Sequence, residues 1–262
     1  MHVTDDTPHS SIGASSMYRW SKCPGSVKLG DMADDEKSSA PAILGTIAHE
    51  VAEIYLTTGV WPDAAKYGMS EGEMKAVVTG VKVYTDYVQS IKNSEPNSIH
   101  HIEHGFDMHM VHPGAYGTAD FVSYNPDTKR LRVADYKNGK GLVVEVFNNP
   151  QLLYYALGAA LTLKYPFRTL ELVVVQPRAF HSSGSIRSWV VGPETLWDFR
   201  ADLIDAAKRT EKPNAPYAAG SHCFFCKGMS LCPIKDKAMA AKKGVFMAPK
   251  MDAVDDFKPV QR

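Results

Sequence analysis

The side chains in this sequence best suited to chemistry are two aspartates and a lysine in neighbouring strands. Asp120 lies in the run GTAD, and Asp135 and Lys137 lie in the run DYK. Both runs are rich in β-forming residues, and Asn125-Pro126-Asp127 between them is typical of a tight turn. Because side chains alternate along a strand, Asp135 and Lys137 share one face, and a paired first strand brings Asp120 to the same place. Two carboxylates beside an ammonium group suit a divalent cation with an activated water next to it.

Two predicted helices each place a polar pair on one face. Apolar residues at helical spacing predict a helix over Ala42–Thr58. Asn148 or Asn149 can cap a second helix, with Pro150 in its first turn, and this helix runs to about residue 165. The pairs four residues apart are His49 with Glu53, and Gln151 with Tyr155. For an isolated pair such as the first, a partly buried histidine and a solvated glutamate are the commoner explanation, so the pair gains meaning only from its neighbours.

The order of these motifs resembles that of RecB-type nucleases in the PD-(D/E)xK superfamily. Gly-x-x-x-His-Glu (Gly45–Glu50) comes first, followed by G-x-x-D, D-Y-K and Q-x-x-x-Y. The pattern is similar to the RecB and AddB nuclease domains and to the CRISPR-associated adaptation nuclease, over about residues 15–235. Ala119 stands where the first motif of the superfamily has proline, which is usual in the RecB branch. Four elements in this order are much rarer than any one of them.

The resemblance implies a metal-dependent DNA nuclease that hydrolyses phosphodiester bonds, and an exonuclease in particular. By this resemblance Mg²⁺ or Mn²⁺ is held by His49, Asp120, Asp135 and the carbonyl of Tyr136, DNA is positioned by Gln151 and Tyr155, and Glu53 acts through a metal-bound water. Lys137 then orients or deprotonates the attacking water, or stabilises the charge that builds on the phosphate.

Four cysteines form a second constellation. Cys23 precedes the nuclease motifs, and Cys223, Cys226 and Cys232 follow them as C-x2-C-x5-C. This arrangement resembles the iron–sulfur staple of AddB and the CRISPR-associated nuclease, which implies a 4Fe–4S cluster. The same four ligands could bind Zn²⁺, and ligand type alone does not decide between the two. The run RWSKCP around Cys23 also resembles a family of phage-borne proteins, which suggests phage DNA degradation or recombination.

Composition narrows the class of protein. The 262 residues include 29 basic and 29 acidic residues, and a net charge of zero argues neither for nor against a nucleic-acid partner. No apolar run is long enough for a membrane span, and the N-terminal residues lack the character of a signal peptide, so a cytoplasmic protein is expected, in the host cell if phage-encoded. There is no phosphate-binding loop, which favours a stand-alone nuclease over a helicase chain.

The predicted fold is α/β, with a central mixed sheet flanked by helices at 43–58 and 149–165. An added helical region, 70–93 plus 193–210, completes it, and the cysteine cluster joins the N- and C-terminal parts. Residues 1–14 are expected to be a flexible lead, 15–243 one nuclease domain, and 244–262 a tail. Leu142–Phe147 is predicted to be a further strand. The histidine-rich stretch Ile99–Met110 is interpreted as a polar strand and loop, since its spacing matches no zinc pattern.

Two other classes of function stay open from the sequence. One is a catalytically weak protein that binds DNA ends or acts as a recombination partner and retains the nuclease fold. The other is a redox sensor built on the cluster, although such a sensor has no need of His49, Asp120, Asp135 and Lys137 together. DNA is expected to enter through an end or as a single strand. The sequence specifies neither the polarity of cleavage nor the oligomeric state.

Overall fold

A five-stranded mixed sheet forms the centre of the fold. The structure is a computed structural model that describes residues 10–33 and 39–247. Its strands are β1 (Ile99–Asp107), β2 (Tyr116–Asn125), β3 (Arg130–Tyr136), β4 (Thr169–Val175) and β5 (Ile186–Val191), in that order across the sheet. The β3–β4 pair is parallel and the other three pairs are antiparallel. The predicted α/β class with a mixed sheet is confirmed.

Seven α-helices accompany the sheet within the described residues. They are α1 (Met17–Trp20), α2 (Ser26–Met32), α3 (Ala40–Thr58), α4 (Glu71–Ser94), α5 (Pro150–Leu163), α6 (Pro193–Glu211) and α7 (Lys235–Met247). The bounds of α3, α4, α5 and α6 match the predicted helices to within about two residues. The short helix α2 follows Cys23 and was not predicted.

The β2–β3 turn has the chemistry that its sequence predicts. The side-chain Oδ1 of Asn125 accepts hydrogen bonds from the backbone N–H groups of Asp127 (2.9 Å) and Thr128 (3.0 Å), which closes an Asx turn. Lys129 completes the reversal in the left-handed region, with φ of 55°. Because the turn fixes the register, Val122 lies opposite Val133 and Phe121 opposite Ala134.

The helices divide between the two faces of the sheet. One core packs α3 and α4 against Phe121, Tyr136 and Val173. The other core packs α5 and α6 against the opposite face of the same strands. The prediction that 70–93 and 193–210 form one added helical region is therefore wrong, because each helix buries its apolar stripe against a different face.

The predicted strand over Leu142–Phe147 is absent, and this segment is a loop. Both edges of β3 are already paired, with β2 on one side and β4 on the other. The polar backbone of the loop is satisfied by a side chain instead, since Gln176 binds the carbonyls of Gly139 and Leu142 and the N–H of Val144. A β-branched composition could not reveal that the ladder positions were taken.

The chain ends differ from their predicted description where the structure describes them. Ile12 and Ala14 belong to the predicted lead but are buried in the core that contains α5 and α6. Helix α7 extends to Met247, past the predicted start of the tail at residue 244. The rest of the lead (1–9), the rest of the tail (248–262) and residues 34–38 lie outside the described residues. None of the described helices combines the length and apolar character that a membrane crossing needs.

A close approach between α5 and β1 generates a test of the packing. Gly158 on α5 leaves no room for a side chain, because an added Cβ would overlap the ring of Phe106 on β1. Gly158→Ala is expected to lower the free energy of unfolding by about 1–3 kcal/mol through overpacking, measured by urea denaturation.

Gly45 supplies the matched control. It also lies within a helix, α3, but an added Cβ there meets nothing within 4 Å. Gly45→Ala is expected to stabilise the protein by up to about 1 kcal/mol, because alanine restricts the unfolded chain and favours the helix. Equal effects of the two substitutions would contradict the described contact between α5 and β1.

Candidate active site

Asp120 is held between helix α3 and strand β3. Its Oδ1 lies 3.4 Å from Nδ1 of His49, which α3 projects toward the sheet. Its Oδ2 accepts a hydrogen bond of 2.6 Å from the backbone N–H of Tyr136. The ring of His49 in turn packs edge-on against the ring of Tyr136, with centroids 5.4 Å apart. The first two predicted motifs therefore meet in space.

Lys137 links the third motif to helix α5. Its Nζ lies 2.8 Å from Oδ2 and 3.1 Å from Oδ1 of Asp135, with hydrogen-bond geometry met at Oδ1. The same Nζ donates to Oε1 of Gln151 at 2.8 Å, and Nε2 of Gln151 donates to the hydroxyl of Tyr155 at 2.7 Å. Oδ2 of Asp135 is buried without a hydrogen-bond partner among the described residues. One polar chain thus joins Asp135 to α5.

Helix α5 presents these residues because its start is capped. The side chain of Asn149 accepts hydrogen bonds from the N–H groups of Gln151 (3.0 Å) and Leu152 (3.1 Å), and Pro150 occupies the first turn. This cap satisfies N–H groups that have no partner within the helix. Gln151 is consequently fixed in the first turn, where its amide can reach Lys137.

Glu103 is a site residue that the sequence reasoning missed. The β1–β2 register pairs Ile102 with Phe121 and His104 with Ala119, which sets Glu103 opposite Asp120. Its φ of 46° lies in the left-handed region, a conformation uncommon for residues other than glycine, and it interrupts the ladder at this one position. Ligand atoms of Glu103, His49 and Asp120 lie within 4.8 Å of one another.

The carboxylates of the site perturb one another. Burial raises the pKa of Glu103 to about 8, and the nearby charge of Asp120 adds to the rise. Burial likewise raises the pKa of Asp135 to about 6, despite the opposing charge of Lys137. Burial would also raise the pKa of Asp120, but the charge and hydrogen bond of His49 outweigh it and hold that pKa below its usual value. If all three carboxylates were ionised, their negative charge would therefore exceed the positive charge of His49 and Lys137 beside them.

His49 compensates part of that charge. Burial alone would lower its pKa, but the charge and hydrogen bond of Asp120 outweigh burial and raise the pKa to about 9. An imidazole and two carboxylates converging from α3, β1 and β2 form a ligand set that a divalent cation such as Mg²⁺ or Mn²⁺ accepts. The raised pKa of Glu103 fits the same cation, since positive charge nearby would favour the ionised carboxylate.

Two predicted site residues fall outside this cluster. Glu53 is exposed on α3, and its interaction with the site is the charge it exerts on Glu103. Tyr136 contributes its N–H and its ring, whereas a ligand role for its carbonyl stays a prediction. Little in the sequence singles out Glu103, which is one of two acidic residues in a histidine-rich strand. Its identity depends on the β1–β2 register, and a period-2 pattern does not specify register in so polar a strand.

The four cysteines line one cavity, which lies between a segment near the N-terminal end of the chain and a segment near its C-terminal end. Cys23, Cys223, Cys226 and Cys232 surround it together with Arg19, whose Nε is buried without a hydrogen-bond partner among the described residues. Sγ of Cys23 accepts a hydrogen bond from the N–H of Ala218 at 3.4 Å. No three of the four sulfur atoms lie within 4.8 Å of one another, although all four cysteines are described.

Comparison with known proteins gives one family and several similar solved structures, of which two are described here. The profile of the family described as "Protein of unknown function (DUF2800)" matches residues 9–257. A crystal structure from Eubacterium rectale, described as a "Putative exonuclease", is similar with a TM-score of 0.46 and 14% identity, over 80% of this chain and 85% of that one. A structure named SSO0001 is similar with a TM-score of 0.33 and 12% identity, over 89% and 90%. Neither likeness is close enough to bear on function.

The raised pKa of Glu103 generates a stability test. The folded chain binds a proton at Glu103 up to a pKa of about 8, whereas the ordinary value is 4.5. As pH rises from 4.5 through 8, the unfolded chain ionises first and the folded state loses stability. Glu103→Gln removes that loss. In EDTA the variant is expected to exceed the wild type in unfolding free energy by at least about 1 kcal/mol at pH 8, and to match it near pH 4.

Urea denaturation across this pH range checks the expectation, and Glu53→Gln is the matched control. Because Glu53 is exposed, its substitution should change stability by no more than about 0.5 kcal/mol at either pH. Mn²⁺ should then raise the melting temperature of the wild type more than that of Glu103→Gln, since a bound ligand stabilises the folded state. A Glu103→Gln protein less stable than wild type at pH 8 would show that the carboxylate of Glu103 does not destabilise the folded state at this pH.

Proposed function

The chain belongs to the DUF2800 family, and we propose that it is a Mg²⁺- or Mn²⁺-dependent nuclease that hydrolyses phosphodiester bonds of DNA. The observation that carries the proposal is the convergence of His49, Glu103 and Asp120 within 4.8 Å, beside an Asp135 that is bound to Lys137. Hard oxygen ligands, one imidazole and an adjacent ammonium group are the parts that metal-assisted phosphodiester hydrolysis needs.

The proposed metal ligands are His49, Glu103 and Asp120, with the neighbouring Asp135, which is paired with Lys137, as a further ligand of the same ion. When bound, the ion polarises the scissile phosphate and lowers the pKa of a water molecule. Asp120 is the best-fixed of these side chains, because the N–H of Tyr136 and the ring of His49 hold its two oxygens. The site is thereby largely formed before a ligand arrives, which limits the reorganisation that binding requires.

Lys137 is proposed to act on the attacking water and on the phosphate. Its ammonium group is held by Asp135 and Gln151 from two sides, so its position is set by β3 and α5 together. From there it can orient or deprotonate a water, or stabilise the charge that develops on the phosphate. The task is electrostatic and geometric, and for that reason a neutral side chain of similar length would not replace it.

Helix α5 is proposed to receive the DNA backbone. Gln151 and Tyr155 face the site one turn apart, joined to each other and to Lys137. The N-terminus of a helix carries partial positive charge, and it favours phosphate nearby. Exonuclease action, and a role in phage DNA processing, degradation or recombination, remain predictions from the sequence resemblance.

The cysteine cavity is proposed to hold a 4Fe–4S cluster rather than zinc. Four sulfurs arranged tetrahedrally around one Zn²⁺, each at about 2.3 Å from the ion, would lie about 3.8 Å from one another. No three of the four sulfurs of this cavity lie within 4.8 Å of one another, although all four cysteines line it. A cluster takes one thiolate at each iron and so accepts a wider set of ligands. Its contribution would be a cross-link between the two ends of the chain.

The site assignment predicts loss of hydrolysis on minimal substitution. Asp120→Asn and Asp135→Asn should abolish release of nucleotides from end-labelled DNA, because each removes the charge of a candidate ligand with little change of shape. Lys137→Met should lower kcat by about 10²- to 10⁴-fold. Wild-type activity should require Mg²⁺ or Mn²⁺, fail with Ca²⁺ and disappear in EDTA.

A surface ion pair on α4 gives matched controls for these variants. Lys82 and Asp86 contact each other at 2.6 Å and are both exposed, so Lys82→Met and Asp86→Asn should keep wild-type rates. Wild-type rates in Asp120→Asn or Asp135→Asn would sink the assignment. A folded wild type that binds labelled DNA ends but releases no nucleotides would instead identify a catalytically weak DNA-end-binding protein.

The cysteine proposal predicts colour, iron and lost stability. Anaerobically purified protein should hold about four irons per chain and show the visible absorbance of thiolate-to-iron charge transfer. Cys23→Ser should remove the colour and lower the melting temperature, because a centre shared by Cys23 and Cys223 closes a loop of about 200 residues. Colourless protein with one equivalent of zinc would show the four-cysteine zinc alternative to be correct.

A further inference from the structure

Two loops leave the sheet beside the candidate site. Since β3 and β4 are parallel, their C-terminal ends lie at the same edge, where β3 ends with Asp135 and Tyr136. The segment 138–149 runs from this edge to α5, and the segment 177–185 turns back into β5. We call these two segments together the rim.

Buried side chains join the two halves of the rim. Nε2 of Gln176 donates to the carbonyls of Gly139 (3.1 Å) and Leu142 (2.7 Å), and its Oε1 accepts from the N–H of Val144 at 2.9 Å. Arg187 of β5 donates to the carbonyl of Val144 at 2.8 Å and to Oε1 of Gln176 at 3.1 Å. Gln176 and Arg187 are both buried, so this joint is shielded from water.

Two further contacts join the segments 138–149 and 177–185. His181 Nε2 lies 3.3 Å from Oε1 of Glu145, across the two segments. Arg178 donates to Oδ1 of Asn138 at 3.2 Å, and the hydroxyl of Tyr136 donates to the same oxygen. The rim is therefore one hydrogen-bonded unit that is continuous with the end of β3.

The tip of this unit presents an aromatic ring to solvent. Phe180 is 84% exposed, the highest value among the large hydrophobic side chains of the described residues. Its neighbours Arg178 and His181 are both engaged by the opposite segment, which fixes the backbone on either side of it. Phe147 and Leu142 are also exposed on the rim, and Lys140 adds an exposed cation. A flat apolar face on an ordered loop, with cations nearby, is the composition of a surface that binds single-stranded nucleic acid.

We propose that the rim binds a DNA strand with unpaired bases, one of which stacks on the ring of Phe180. The inference rests on the proposed nuclease function, since the strand it holds would pass to Lys137 and α5. Bases in a duplex are stacked on one another and do not offer a face to an outside ring, whereas unpaired bases do. Lys140 and Arg178 belong to the same rim, and their positive charge would attract the phosphates of the bound strand.

Fluorescence measurements in EDTA, where no hydrolysis is expected, test the proposal. The probes are a fluorescein-labelled oligo(dT), the same strand carrying one 2-aminopurine, and a blunt duplex. Phe180→Ala should weaken binding of the single strand by about 5- to 150-fold and leave duplex binding unchanged. It should also remove the quenching of 2-aminopurine that stacking causes. Phe180→Trp should retain both signals, and Trp197→Ala, an exposed aromatic on α6, should match wild type.

Equal single-strand binding by wild type and Phe180→Ala would overturn the proposal, as would an equal loss for the strand and the duplex. A wild type that does not bind the oligo(dT) would also overturn it. The nuclease proposal fails separately, when wild-type protein with Mn²⁺ releases no nucleotides from DNA. In that event a selective loss of single-strand binding in Phe180→Ala would still support the rim as a DNA-binding surface.

Discussion

The concentration of buried negative charge at one end of the sheet is the constraint on which the rest of the site depends. Glu103, Asp120 and Asp135 lie together there, and His49 and Lys137 are the cations that contact them. Burial of carboxylates is costly unless each is paired or hydrogen-bonded. The raised pKa values of Glu103 and Asp135 record the part of that cost which the protein leaves uncompensated. A divalent cation would compensate it. The same cluster of carboxylates therefore destabilises the metal-free protein and provides the ligands for the proposed chemistry.

Such a site needs support from both faces of the sheet. Helix α3 brings His49 from one face, and helix α5 brings Gln151 from the other, so the charged groups lie where the two layers meet beside the middle of β2 and the C-terminal end of β3. The contacts that hold the charged side chains also come from both helices. Asp120 is fixed by α3 and the backbone of β3, and Lys137 by β3 and α5. Displacement of either helix would therefore disturb the geometry without changing a single ligand.

The ends of the chain meet at a different place, around the cysteines. Tyr18 contacts Ser221, Arg19 donates to the carbonyl of Phe225, and the N–H of Gly25 donates to the carbonyl of Pro216. These bonds join segments about 200 residues apart in sequence and bring the four cysteines to one cavity. The closure is thus built into the packing of the protein, and a bound cluster would strengthen it. The candidate active site and the cysteine cavity therefore lie in different parts of the fold.

The sequence by itself determined the elements whose signals are local. Apolar periodicity located α3, α4, α5 and α6, the Asn125 turn defined the β2–β3 hairpin, and fixed spacing within one strand or one helix placed Asp135 with Lys137 and Gln151 with Tyr155. Tertiary structure decided what depends on pairing between distant segments. The β1–β2 register and the left-handed conformation of Glu103 bring its carboxylate close to His49 and Asp120. Helical spacing, by contrast, only places Glu53 on the same face of α3 as His49. Occupied edges on both sides of β3 likewise turned a β-branched run into a loop, since a strand needs a partner as well as a composition.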